Sequence, residues 1–485
     1  MKKKITAVFI ATILLISLFS FASCNETDKT KYSAEIVFDE ENMSAKGYLK
    51  VEFVNTNEFE IDKLCFNVYG NAYRKGAKYS PIPAEKVYAA YDGKINYGYF
   101  DVESVAIGGE KVAFDISGED KNLLVVPLDE PLSTGDKIDV EIEFAIKLAK
   151  VKHRLGYNDD TVNFGNFLPV LCVYENGEPI ECPYYNIGDP FYSECADYFV
   201  AIKVPSEYTV AASGECVNTL SGGKFTTYTY SIENARTFAF SASKKFNVIS
   251  SKSDGITVNY YYVKDDNPSK SYETATDALH TFIELFGEYP YKTFSVVETP
   301  FLFGGMEYPS IVFVSDSLER EDLTEAIVHE TAHQWWYALV GTNEVKNAFL
   351  DEGLAQISTA LFFDENAKYG KSRADFVKTL QNDLDTYKKV YAITGKTPDF
   401  TPKRALNEYS TTYEYTAVNY FYMPIVLNEL CDMAGKDDFV AALRSFSKDN
   451  RFKNVTEKEL SEAFKTCCKV PIGEVFDSLI EGKTR

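Results

Sequence analysis

The chain has 485 residues, a length that calls for more than one domain, and its 45% apolar and 25% charged content is ordinary for a folded soluble protein. Its formal charge of −22 argues against nucleic-acid binding and leaves no polybasic patch for a membrane surface. Tyrosine (34) and phenylalanine (35) are abundant, which suits large sheet-built cores.

The first segment runs MKKK, then an unbroken apolar stretch over Ile5–Phe21, then Ala22, Ser23 and Cys24. Basic, apolar and small residues in that order are the layout of a secretory signal peptide. A cysteine directly after two small residues resembles the bacterial lipoprotein signal, although Phe21 stands where that signal usually has leucine. The resemblance implies removal of residues 1–23, lipidation of Cys24 and a membrane tether on the extracytoplasmic face. Plain secretion and an uncleaved anchor are the alternatives. No other segment is apolar enough to span a bilayer. Eight further cysteines contain no CxxC pair, so zinc-ribbon and thioredoxin-type chemistry are not indicated. Export permits disulfides among them, and free buried thiols fit equally well.

From about Lys31 to Asn247 the pattern is strand-like. YSAEIVFDEENMSAKGYLKVEFVNT and KIDVEIEFAIKL alternate apolar and polar residues, with Gly, Asn, Asp and Ser at the breaks and no long helix. After about residue 250 strands and helices mix. GITVNYYYV, TFSVVETP and SIVFVS read as strands, SYETATDALHTFIELFG as an amphipathic helix, and DLTEAIVHETAHQWWYALVG as a helix ending at Gly341. LDEGLAQISTALFFDENA and most of the remainder, including AVNYFYMPIVLNELCDMAG, are helical. The expectation is a multi-domain α+β chain: an all-β domain over 24–249, then an α+β domain over 250–485.

Two of the chain's four histidines, His329 and His333, lie within HETAHQWW. Positions four apart share one helical face, so both imidazoles can aim at one point. Two such nitrogens and a carboxylate are the ligand set of a catalytic zinc ion, with Glu330 beside it to take a proton from water. Glu352, separated from His333 by eighteen intervening residues and at the start of the next predicted helix, is the candidate third ligand. His153 and His280 fall outside every motif and read as structural.

HETAH (opening HETAHQWW), eighteen residues, and then the glutamate of LDEGLAQ together resemble the zinc signature of the aminopeptidase N family. These gluzincins include leukotriene A hydrolase-like relatives. The resemblance implies one zinc ion, a saddle-like β-domain and a thermolysin-like catalytic domain. It also implies that GGMEY (Gly304, Gly305, Met306, Glu307, Tyr308) binds substrate, with Glu307 holding the free amine. Tyr308 departs from the family's usual asparagine. AVNYFYMPIVLNEL aligns Tyr420 with the family's catalytic tyrosine, although the usual Lys-Gly pair is replaced by Tyr422 and Met423; Tyr415 is the reserve. Sixty-five residues follow Tyr420, so the likeness is to a short form without the large C-terminal helical domain. The implied partners are peptides with a free N-terminus, and the implied activity is aminopeptidase. Endopeptidase or epoxide hydrolase action on the same site, and a non-catalytic surface lipoprotein, are the rivals.

Overall fold

The computed structural model describes residues 29–482. The apolar leader and Cys24 therefore lie outside the described residues. No helix among the described residues is long and apolar enough to cross a membrane.

The first half is built from sheets. Strand Lys31–Asp39 lies inside an eight-stranded sheet, antiparallel to Ser44–Val54 and parallel to Ala196–Pro205. Its alternation explains the placement: Tyr32, Ala34, Ile36 and Phe38 all turn into the core. Two four-stranded sheets pack with it, and the helices of this half are single turns of three to five residues. The eight described cysteines are free thiols; Cys172 follows a short pairing of Val170–Leu171 with the strand that carries Cys65, and its N–H bonds the Cys65 carbonyl at 2.8 Å.

The second half begins with a five-stranded sheet of order β1-β2-β3-β5-β4. Its strands are β1 (Asn247–Ser253), β2 (Ile256–Tyr262), β3 (Thr293–Thr299), β4 (Gly305–Met306) and β5 (Ile311–Ser315). β2, β3 and β5 run parallel, and the wholly buried runs of β3 and β5 are those of strands covered on both faces. β4 is antiparallel to β5 and forms the sheet edge. Helix α1 (Pro268–Phe286) makes the β2-to-β3 crossover, α2 (Arg320–Ala332) follows β5, and α3 (Glu344–Glu365) lies against α2.

Two expectations about the helices change. The predicted helix through Gly341 stops at Ala332, with His333 as its cap, and continues as a π-type turn over Gln334–Leu339. Trp336 and Tyr337 leave helical geometry there, and the break lets two successive tryptophans both turn into the core, where each packs on Phe286. Trp335 donates to the Gly287 carbonyl at 3.1 Å, and Trp336 to the Ser358 hydroxyl at 2.8 Å. In addition, α3 opens with a turn at Glu344, capped by the Asn343 side chain, and leaves helical geometry at Asn347, so Glu352 sits about a turn past that break rather than at the start of the helix.

The halves are bolted together behind the cleft by Arg236. Its buried guanidinium, from the sheet-built half, donates to the carbonyls of Tyr337 (2.6 Å), Lys453 (2.8 Å) and Ser193 (3.0 Å) and to Asn454. A side chain at Gly341 would collide with that guanidinium.

Candidate metal centre and cleft

The end of α2 and the third turn of α3 bring His329, His333 and Glu352 to one point. The two Nε2 atoms are 3.1 Å apart and lie 3.3 and 3.5 Å from Glu352 Oε2. Each Nδ1 faces an acceptor: Gln356 Oε1 at 3.2 Å for His329, and the Trp336 carbonyl at 3.2 Å for His333. With N–H on Nδ1, both Nε2 lone pairs converge on the same space as a carboxylate oxygen that has no donor. Three lone pairs in van der Waals contact repel unless a cation sits among them. Their separations match the edges, about 3.3 Å, of a tetrahedron with ligand bonds near 2.0–2.1 Å. The residues fit a metal ion.

Glu330 lies one position on from His329, with Oε2 buried and unpartnered. It faces β4, and a Cβ on Gly305 would run into its carboxylate. Burial, and then the charge of Glu307, hold Glu330 well above the ordinary carboxylate range. Burial, followed by the charge of Asp189, raises Glu307 to about 8, and its Oε1 is likewise unpartnered. Burial acts to raise Glu352, but the two imidazoles beside it outweigh burial and bring that carboxyl below the ordinary range.

The sequence candidates do not all end in one place. Gly304, Gly305 and Glu307 line the cleft, whereas Met306 is 1% exposed and packs into the core, as strand alternation requires. Tyr308, the departure from the usual asparagine, crosses to the sheet-built half. Its hydroxyl reaches Asn166 Oδ1 at 3.1 Å over Gly165, where any side chain would collide with it. Tyr420 lies on a π-type turn (Ala417–Tyr422), and its hydroxyl donates to Glu352 Oε1. Tyr415 approaches the same oxygen at 3.5 Å. Burial and the Glu352 charge push the Tyr420 phenol well above its ordinary pKa, so it stays a donor.

Four residues that build or support the cleft escaped the sequence reading. Gln334, just past His333, accepts from Ser310 N (2.8 Å) and donates to the Tyr308 carbonyl (3.1 Å), clasping the Glu307 segment to the metal helix. Gln356 orients His329 and also donates to the Tyr420 carbonyl at 3.4 Å. Asp189 and Arg154 come from loops of the sheet-built half and pair at 2.5 Å. His153, expected to be purely structural, is buried but also lines this cleft. His280, bonded to Ser253 at 3.1 Å, is remote from it. The cleft encloses about 330 Å³.

The comparisons with known proteins agree with this geometry. Residues 270–479 match the peptidase family M1 domain. This part of the chain is similar to M1 peptidase domains. The chain is 27% identical to leukotriene A-4 hydrolase of Xenopus laevis over 187 residues, 36% of this chain and 29% of that protein. It is 24% identical to leucine aminopeptidase 2 of Yarrowia lipolytica over 269 residues, 53% of this chain and 40% of that protein. The matches thus span well under half the length of these curated relatives. The fold is that of an M1 zinc metallopeptidase from Deinococcus radiodurans, with a TM-score of 0.67, 15% identity and coverage of 94% of each chain. A mutant of that enzyme has been solved with a Tyr-Ser-Ala substrate. A sheet-built half followed by an α+β half is thus an architecture this chain shares with that enzyme.

Proposed function

We propose that the chain is a zinc-dependent aminopeptidase, removing the first residue of peptides with a free N-terminus. The charge balance of the cleft carries this reading. Five carboxylates line it (Asp189, Glu307, Glu325, Glu330, Glu352) against one guanidinium, Arg154, and Lys371 pairs with Glu325 from behind. With every carboxyl ionised, three negative charges would be uncompensated in this buried site, which is why Glu307 and Glu330 hold on to their protons; one divalent cation plus one ammonium group would cancel all three.

Zinc held by His329, His333 and Glu352 supplies Lewis acidity, polarising the scissile carbonyl and acidifying a water. Glu330, unpartnered and raised in pKa, takes the proton of the attacking water and passes it to the leaving amine. Tyr420 keeps its proton and donates a hydrogen bond to the carbonyl oxygen as that oxygen becomes negative. Glu307 receives the substrate ammonium, and the edge strand at Gly304–Gly305 lets the peptide backbone lie close. With the amine fixed there, the first peptide bond is the one that reaches Glu330.

The deciding comparison is a free peptide against its N-acetylated twin, with and without chelator. Cleavage of the free peptide alone, lost on chelation and restored by zinc, is expected. Equal rates on both peptides would replace this reading with endopeptidase action. The sequence around Cys24 supports a further part of the proposal: the enzyme works tethered by lipid to the outer face of the membrane. Cys24→Ser should then move activity from the membrane fraction to the soluble one, and an unmodified Cys24 by mass spectrometry would remove the tether.

A further inference from the structure

We infer that the substrate's first side chain is received by an uncharged aromatic wall and that the enzyme therefore selects large apolar or aromatic N-terminal residues. This rests on the aminopeptidase reading and adds to it the class of residue removed. The wall is built mainly from the sheet-built half: Pro81, His153, Tyr184 and Tyr185, joined by Phe303 next to the Gly304–Gly305 edge. A substrate whose amine lies at Glu307 has its first side chain beside the backbone that Gly304 and Gly305 accommodate, and Phe303 flanks that position in the chain.

The rings hold one another in place. His153 stacks on Phe301 with centroids 5.9 Å apart and meets Phe303 edge-on at 5.8 Å. Its Nδ1 is bonded to the Tyr73 hydroxyl at 2.5 Å, and Tyr73 packs edge-on against Tyr184 at 6.1 Å. Tyr185 packs edge-on against Tyr79 at 5.0 Å. Burial, and then the nearby Arg154 charge, lower the His153 pKa far enough to leave the ring neutral.

With a metal ion in the triad and the substrate amine on Glu307, no free charge is left to face this wall. Arg154, the cation that could attract an acidic side chain, is bound to Asp189, with its guanidinium 5.0 Å from the Phe191 ring centroid and 5.9 Å from that of Tyr184. Glu325, which could attract a basic side chain, is occupied by Lys371. An acidic or basic first residue would be desolvated here without an opposite charge, since the unpartnered polar atoms of the wall, His153 Nε2 and the Tyr184 hydroxyl, are neutral, whereas an aromatic or large aliphatic one buries its surface against rings.

A panel of aminoacyl coumarylamides with one leaving group tests this on the full mature protein. The kcat/KM values for Phe, Tyr and Leu should exceed those for Ala, Lys and Glu by at least tenfold. Equal or higher values for Ala, Lys or Glu would overturn the inference while leaving the aminopeptidase standing; cleavage of no reporter at all would remove both. Phe303→Ala, checked for full zinc content, should lower the Phe-to-Ala ratio of kcat/KM about tenfold. An unchanged ratio in that zinc-loaded variant would also overturn it.

Discussion

The two walls of the cleft are made on opposite principles. On the metal-centre wall, one buried oxygen each of Glu307, Glu330 and Glu352 is left without a donor, and these carboxyls find partners only when ligands arrive. On the sheet-built wall every charge is already spoken for: Arg154 holds Asp189, and rings enclose the pair. Unpaired groups store reactivity at a cost in stability, whereas paired groups and packed rings give shape. Substitutions on the first wall should therefore cost activity, and on the second, stability.

The largest expected effect is Glu330→Gln. It should lower kcat/KM by about a thousandfold or more, a loss typical of a missing general base. Zinc content should be retained, since Glu330 is outside the ligand triad. The metal-free variant should also melt no lower than metal-free wild type, because a buried unpartnered carboxylate has been neutralised. A clear drop in that melting temperature would break the contrast between the walls. Arg154→Met tests the other wall: leaving Asp189 buried and unpaired should destabilise the protein by about 3 kcal/mol in denaturant titration. Removing both charges, with Arg154→Met and Asp189→Leu together, should recover most of that loss. Tyr420→Phe comes next, with an expected hundredfold fall in kcat and little change in KM, as for the loss of one hydrogen bond made to the transition state. A change confined to KM would instead make the phenol a packing group.

The two walls also differ in how well the sequence announces them. The metal triad is legible because it depends on short spacings within helices, and four-residue spacing survives even though α2 ends at His333. Glu352 was found by its distance in the chain, although its place within α3 was not, since Asn343 begins the helix earlier than the apolar pattern suggests. The alternation of Tyr32, Ala34, Ile36 and Phe38 made the sheet-built half equally readable. Arg154 and Asp189 were invisible: they sit in loops, 35 positions apart, and only tertiary packing joins them. Gln334 and Gln356 adjoin the motif residues they support, yet a glutamine carries no chemical signal until its partners are known. The π-type turn at Trp335 and Trp336 was hidden for a different reason, because a run of large residues reads as continuous helix until each ring's destination is fixed.

The smallest expected effect concerns how the metal helix is held at its two ends. At its start, Arg320 binds Asp265, which also accepts from Tyr260 (2.7 Å), Ser271 (2.5 Å) and the Asn267 N–H (2.9 Å). Burial works to raise the Asp265 pKa, but the hydrogen bonds from Arg320, Ser271 and Tyr260 outweigh it and lower the value. A carboxylate lowered by folding stabilises fully above its unfolded pKa, near 4, and loses that contribution as pH falls through the folded value. Beyond the far end, Arg236 grips carbonyls and an asparagine, none of which titrates. Acid should therefore release the start of α2 and leave the Arg236 junction untouched. The measurement is melting temperature against pH for wild type and Asp265→Asn, both metal-free so that zinc loss does not enter. The titrations of Glu307 and Glu330 are then common to the two proteins and cancel in the difference. Wild type should lose its advantage over the variant progressively below about pH 4. A difference that stays constant with pH would mean that Asp265 acts by packing rather than by charge, and the acid-sensitive end of the metal helix would have to be sought elsewhere.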